Sequence, residues 1–176
     1  MASEVVGAIG MGNVKLRRAK AGDEKVLAYI QTESWKSAFD EILSAKELER
    51  CTDVEKAEEM YREVLRCQNA SIFIEFVDDR PHCIAGWSRN REGLEENIAE
   101  LICIHSLCDK WHKGYGSMMM GHILNEIRQA GYSEVILWVF EKNLRARGFY
   151  EKHGFSVTKQ KNQSHGAMEV MYSIQL

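Results

Sequence analysis

Hydrophobic and polar positions change period several times along the chain. "VKLRRA" (residues 14–19) alternates as a strand does. In "GDEKVLAYIQTESWKSAF", Val26, Leu27, Ile30, Ser34 and Ala38 recur at helical spacing behind Asp23, a candidate N-cap. "DVEKAEEMYREVLRC" spaces Val54, Ala57, Tyr61, Val64 and Leu65 in the same way. The period then shortens: "SIFIEFV" (residues 71–77) and "HCIAGWSRN" (residues 82–90) predict strands joined by a "DDRP" hairpin turn. Residues 99–107 predict a third strand, with Leu101, Cys103 and Leu107 on one face and Ile102 and Ile104 on the other. Apolar residues on both faces place that strand inside a sheet.

Met119, Ile123 and Ile127 predict a further helix, with Met120 and Leu124 beside them, and residues 134–140 a buried strand. "NLRARGFYEKH" predicts another helix, ended by Gly154. "FSVTKQ" and "MEVMYSIQL" close the chain as strands, the last setting Met168, Val170, Tyr172 and Ile174 on one face. The order is strand, two helices, three strands, helix, strand, helix, two strands. That is a mixed α/β (α+β) domain with antiparallel hairpins and one right-handed crossover. The sole proline is Pro81 and no Ser/Gly-rich linker interrupts the pattern, so residues 13–176 read as a single domain. Residues 1–12 read as a flexible N-terminal extension or a cloning remnant, with Met11 a candidate internal start.

Composition narrows the function classes. Of 176 residues, 45% are hydrophobic and 28% charged, ordinary globular usage. A net charge of −3 offers no field for nucleic acid or an anionic membrane. No run approaches a membrane span. Five cysteines without a CxxC fit a reduced, cytoplasmic protein.

Candidate chemistry begins at "DKWHKGYGSMMM" (residues 109–120). A glycine-rich turn between a strand and a helix is an anion site, because first-turn N–H groups lack helical partners. A nucleoside triphosphate, a dinucleotide and the pyrophosphate of coenzyme A could each use it. The P-loop pattern fails because His122 and Ile123 follow Gly121, and the dinucleotide fingerprint fails at Met119. A merely tight turn is the plain alternative.

One strand later, "NLRARGFYEKHGF" carries Asn143, Ala146, Phe149, Tyr150, Glu151, Lys152, Gly154 and Phe155. With Gly114 and Gly116 this resembles the acyl-CoA-binding half of the GNAT superfamily of N-acetyltransferases. That family pairs a [QR]-x-x-G-x-[GA] loop with an N-x-x-A-x-x-F-Y-E-K-x-G-F helix; here Trp111 replaces the first residue of the loop. The resemblance implies a mixed, mostly antiparallel sheet of about seven strands, about four flanking helices, and a central pair splayed by a bulge. It implies acetyl-CoA as acyl donor, with Trp111, His112, Lys113, Gly114, Tyr115, Gly116 and Ser117 around the pyrophosphate and Lys113 adding charge. His105, Ser106 and Leu107 would pair with the pantetheine arm, and Asn143 would hold it from the other side.

Moving an acetyl group to an amine needs a base for the ammonium, an acid for the departing thiolate and a donor for the oxyanion. The resemblance implies Tyr150 as the acid, with Phe149 as packing, and suggests Glu100 as the base. His105 is the rival base; strand alternation would set it on the face of Leu101 and Cys103, equally suited to a core histidine. Cys103, His105 and Cys108 lack a fourth ligand, so no metal is expected. "ESWKSAF" resembles an S-W-x-x-[AS]-[YF] subgroup and makes Glu33, Trp35 and Phe39 candidates for acceptor binding. Carboxylates at Glu33, Asp40, Glu41, Glu92, Glu95 and Glu96 would steer a cationic amine if they rim one cleft, or else form a solvated face. The expected function is acetyl transfer to a primary amine of a small molecule or protein. A longer acyl group and a non-catalytic acyl-CoA sensor are the alternatives, and a homodimer is compatible with all three.

Overall fold

The computed structural model describes residues 12–91, 93 and 95–176. The expected N-terminal extension lies almost wholly outside them. Among them are β1 (Val14–Arg18), α1 (Glu24–Ala38), α2 (Ala45–Cys51), α3 (Val54–Cys67), β2 (Ser71–Val77), β3 (Arg80–Arg89) and β4 (Ile98–Ser106). A 3-10 turn at Cys108–Lys110 leads to α4 (Tyr115–Gln129), β5 (Glu134–Phe140), α5 (Leu144–Lys152), β6 (Ser156–Ser164) and β7 (Ala167–Gln175). The strands form one sheet in the order β1-β2-β3-β4-β5-β7-β6, antiparallel except for the β4–β5 pair.

Among the described residues five α-helices stand where about four were expected. The additional one, α2, buries none of its residues and so has no apolar stripe to betray it. Its start is set by Ser44, whose hydroxyl accepts from the Glu47 N–H at 3.2 Å. Asp23 heads α1 but its side chain caps nothing. Its carboxylate accepts from Arg17 at 2.7 and 2.8 Å and from the Lys20 N–H at 2.9 Å, and the Arg17 pairing lowers its pKa. The hairpins turn as the sequence requires: Asp78 and Asp79 (φ 52 and 60) link β2 to β3, and His165 and Gly166 (φ 50 and 75) link β6 to β7.

Each face of the sheet has its own core. Met119, Met120, Ile123 and Ile127 of α4 pack with Phe73, Ala85, Leu101, Val135, Leu137 and Tyr172. On the opposite face, Leu27 and Ile30 of α1 and Ala57 and Tyr61 of α3 cover Ile72, Ile74 and Ile84. Among the buried polar groups without a hydrogen-bond partner is a carboxyl: neither oxygen of Glu75, on β2 two residues after Phe73, has one. Burial pushes its pKa to about 8, so it is mostly neutral at pH 7.

Candidate active site

The site begins with a slip in strand register. Gly86 faces Cys103 but Trp87 faces Leu101, so Ile102 is an extra residue in β4. A bulge reverses the alternation beyond it. Leu101 and Ile104 therefore join the α4-side core, whereas His105 lies opposite Ile84, on the α1 side. This corrects the expected face: His105 shares one with Cys103 but not with Leu101. Beside the bulge, β4 pairs with β5 only through Ile98–Glu134, Ala99–Val135 and Glu100–Ile136. The two strands then part, and a cavity of about 1090 Å³ runs between them.

At one end the wall is the N-terminus of α4. Gly114 has φ 91, a left-handed turn that glycine adopts without strain. The N–H of Trp111 goes to Cys108 O at 3.2 Å and that of Ser117 to Gly114 O at 3.0 Å, so these two do not serve the expected cradle. The N–H groups of His112, Lys113, Gly114, Tyr115 and Gly116 find no backbone acceptor among the described residues. A Cβ on Gly116 would meet only the Phe149 ring, at 3.5 Å, so protein packing does not demand glycine there. Lys113 is turned away, its ammonium on Asp109 O at 3.1 Å, and it does not line the cavity. Lys110 does. Leu107 is also outside the lining; its N–H is taken by His82 O at 3.1 Å.

The helix after β5 supplies the middle of the wall. Asn143 caps α5, its Oδ1 accepting from the Ala146 N–H at 3.1 Å, and its buried side chain lines the cavity. Tyr150 also lines the cavity; burial pushes its phenol well above its ordinary pKa, so it stays protonated at neutral pH. No group among the described residues hydrogen-bonds that hydroxyl. Arg145 lies over the Trp111 ring, 3.2 Å from its centroid. The indole N–H in turn donates to Ser106 O and Oγ, both at 3.0 Å. Trp111, in the family's Gln/Arg position, is thus a platform for a guanidinium contributed by α5.

At the other end stand Trp35 and Phe39, in edge contact with each other, together with Trp138, Phe140 and His165. Trp35 Nε1 donates to His105 Nε2 at 3.3 Å. That bond leaves the imidazole proton on Nδ1, and burial lowers the His105 pKa to about 4. Glu100 is buried and held by Arg91, whose Nε and backbone N–H reach Oε2 at 3.0 and 3.2 Å. Of the expected acidic rim, Glu33 pairs with Lys36 at 2.7 Å outside the cavity, and Glu96 with Arg89 at 3.2 Å. Asp40, Glu41 and Glu95 are exposed and line nothing; Glu92 lies outside the described residues.

Sequence reasoning missed Arg145, Trp138, His165 and Glu169. Glu169 of β7 faces the cavity, and burial raises its pKa, with Glu100 adding to the rise and Arg91 opposing it. Its signal was available, a carboxylate out of phase with the apolar face of "MEVMYSIQL", but nothing local showed what that other face would meet.

Comparison with known proteins agrees with this fold. Residues 35–155 match the model of the "Acetyltransferase (GNAT) family". The fold is similar to PaiA N-acetyltransferase from Thermoplasma acidophilum in complex with coenzyme A: TM-score 0.79, 21% identity, 93% of this chain and 99% of that one. YncA from Salmonella typhimurium, with its cofactor acetyl-CoA, aligns with TM-score 0.70 and 14% identity over 92% and 93% of the chains. Ribosomal-protein-alanine N-acetyltransferase from Brucella melitensis gives 0.71 and 16% over 92% and 99%. A sequence comparison with curated proteins finds no match. No helix among the described residues is long and apolar enough to cross a membrane.

Proposed function

From the premise that the chain belongs to the GNAT family of acetyltransferases, we propose that it moves an acetyl group from acetyl-CoA to a primary amine of a small molecule or protein. The observation that carries this reading is the parting of β4 from β5 after Glu100, which opens the cavity between the α4 N-terminus and Tyr150. The residues present fit the donor. The N–H groups of His112, Gly114, Tyr115 and Gly116 and the cations of Lys110 and Arg145 suit a diphosphate, and the unpaired edge of β4 suits an extended amide-bearing arm. The coenzyme supplies an activated thioester.

The chain's own residues then manage protons. An alkylammonium of pKa about 10.4 is roughly three units too protonated to attack at pH 7, a deficit of about 4–5 kcal/mol. Of the carboxylates and imidazoles nearby, Glu169 is the base this reading favours. Glu100 has its oxygens occupied by Arg91, and His105 is held near pKa 4 with Nε2 occupied by Trp35. Glu169 has no such donor among the described residues, and its raised pKa suits it to take a proton directly or through one water. Tyr150 holds the proton that the leaving sulfur needs. The aromatic wall of Trp35, Phe39, Trp138 and Phe140 receives the carbon skeleton of the acceptor.

The test is release of free CoA thiol from acetyl-CoA with pooled polyamines, amino acids, aminoglycosides and lysine peptides, repeated with longer acyl-CoAs. Thiol release that depends on an amine and is fastest with acetyl-CoA is expected. Tight CoA binding by calorimetry without turnover of any amine would instead point to a sensor, and no binding would end the proposal.

A further inference from the structure

Three side chains converge where α2 meets the β6–β7 turn. Cys51 Sγ lies 3.2 Å from His165 Nδ1. That nitrogen lies 3.5 Å from Glu47 Oε1, and the sulfur lies 3.9 Å from the same oxygen. Ligand atoms about 2.0–2.3 Å from a zinc ion at tetrahedral angles stand roughly 3.3–3.6 Å apart. The triangle is therefore close to one face of a tetrahedron built around such an ion. We propose that Glu47, Cys51 and His165 bind one divalent, zinc-type cation, with water in the fourth position.

The sequence conceals this site because His165 is 114 residues from Cys51. Glu47 and Cys51 are i, i+4 on α2, a spacing that puts two donors on one helix face. The His165 ring is held edge-on by Trp35 and Phe140, with centroids 5.5 and 6.4 Å away, so its orientation is set before any ion arrives. The helix rests on the Phe39, Leu43 and Phe140 cluster through half-buried Leu48. It buries no residue, and the ion would fasten it to the turn that carries His165 into the cavity wall.

Arg50 is the competing cation. Its guanidinium donates to both Glu47 oxygens and lies 3.5 Å from His165 Nδ1, but its side chain is 60% exposed and free to turn into solvent. Burial raises the pKa of the Cys51 thiol, so the thiol is protonated at neutral pH. On binding, a metal–sulfur bond replaces the S–H bond and one proton leaves to solvent, so affinity weakens as pH falls. None of this rests on the acyl-transfer reading.

The test is titration of the full chain with cobalt(II), followed by displacement with zinc. One equivalent of cobalt with a thiolate-to-metal charge-transfer band is expected, bleached by one equivalent of zinc. Cys51→Ser should abolish the band, and His165→Gln, in the β6–β7 turn, should weaken affinity at least about tenfold. Arg50→Gln should tighten binding. Cys67→Ser and Cys108→Ser, at exposed thiols, should leave the band intact. Absence of the band in the parent chain, or its survival in Cys51→Ser, overturns the proposal.

Discussion

At the α4 end of the cavity the wall is largely peptide, with the N–H groups of His112, Gly114, Tyr115 and Gly116 and a guanidinium resting on an indole. At the α1–β7 end it is almost all side chain: Trp35, Phe39, Trp138, His165, and the carboxylates Glu100 and Glu169. A peptide wall binds whatever carries the right anion and tolerates little change in its own shape. A side-chain wall can be re-cut residue by residue without disturbing the fold. On the proposed reading, the first end suits a constant donor and the second a variable acceptor.

The largest effect we expect concerns the sheet beneath α4. Glu75 in the folded chain binds its proton more tightly than in the unfolded chain, its pKa raised from 4.5 to about 8. Because the folded state holds more protons, stability falls as pH rises between those values, by roughly 4 kcal/mol in all. Denaturant unfolding at pH 5 and pH 8.5 should show that fall in the parent and its absence in Glu75→Gln. A parallel fall in both would show that the carboxyl is not its source.

Gly116→Val probes the peptide wall itself. Its side chain has room against Phe149, so the fold should survive while CoA affinity drops about a hundredfold or more through the lost approach to the N–H groups. Retained affinity would break the contrast between the two ends. Next comes Tyr150→Phe, expected to lower kcat about a hundredfold while CoA affinity is kept. If turnover is unchanged, sulfur leaves without this acid.

Glu169→Gln should lower kcat/KM about tenfold and remove the alkaline-rising limb that its raised pKa places above the usual carboxylate range. Glu100→Gln should leave that limb in place; the reverse pattern would return the base to Glu100. The smallest effect is expected from Arg145→Gln, a severalfold loss of CoA affinity that grows at low salt.

The legible parts of the molecule were those specified over a few residues. The Asn143-to-Phe155 segment could be read because capping, core packing and the cavity wall fall on one helix and its flanks: Asn143 caps, Phe155 just beyond the helix packs, Tyr150 faces inward. The hairpin at Asp78 and Asp79 was likewise local. The bulge at Ile102 was not, since an extra residue in a strand apolar on both faces leaves no break in hydrophobicity, and the side assigned to His105 was wrong for that reason. Lys113 looked like the charge for the anion, yet the turn aims it at Asp109; Lys110 and Arg145 line the cavity instead, and sequence spacing could not place Arg145. Glu33 shares a helix with Trp35 but not its direction.

The short seam between β4 and β5 has a mechanical consequence. Three ladder pairs, prolonged at one end by Asn97 and Ser133, stitch the β1–β4 plate to the β5–β7 plate along the sheet, although α4 bridges their shared core. A guest laid along the open edge would act as a rivet, coupling the two plates where the ladder itself stops. Amides flanking the seam should then exchange with solvent faster in the empty protein than in the loaded one, and melting should become more cooperative once the guest is in place.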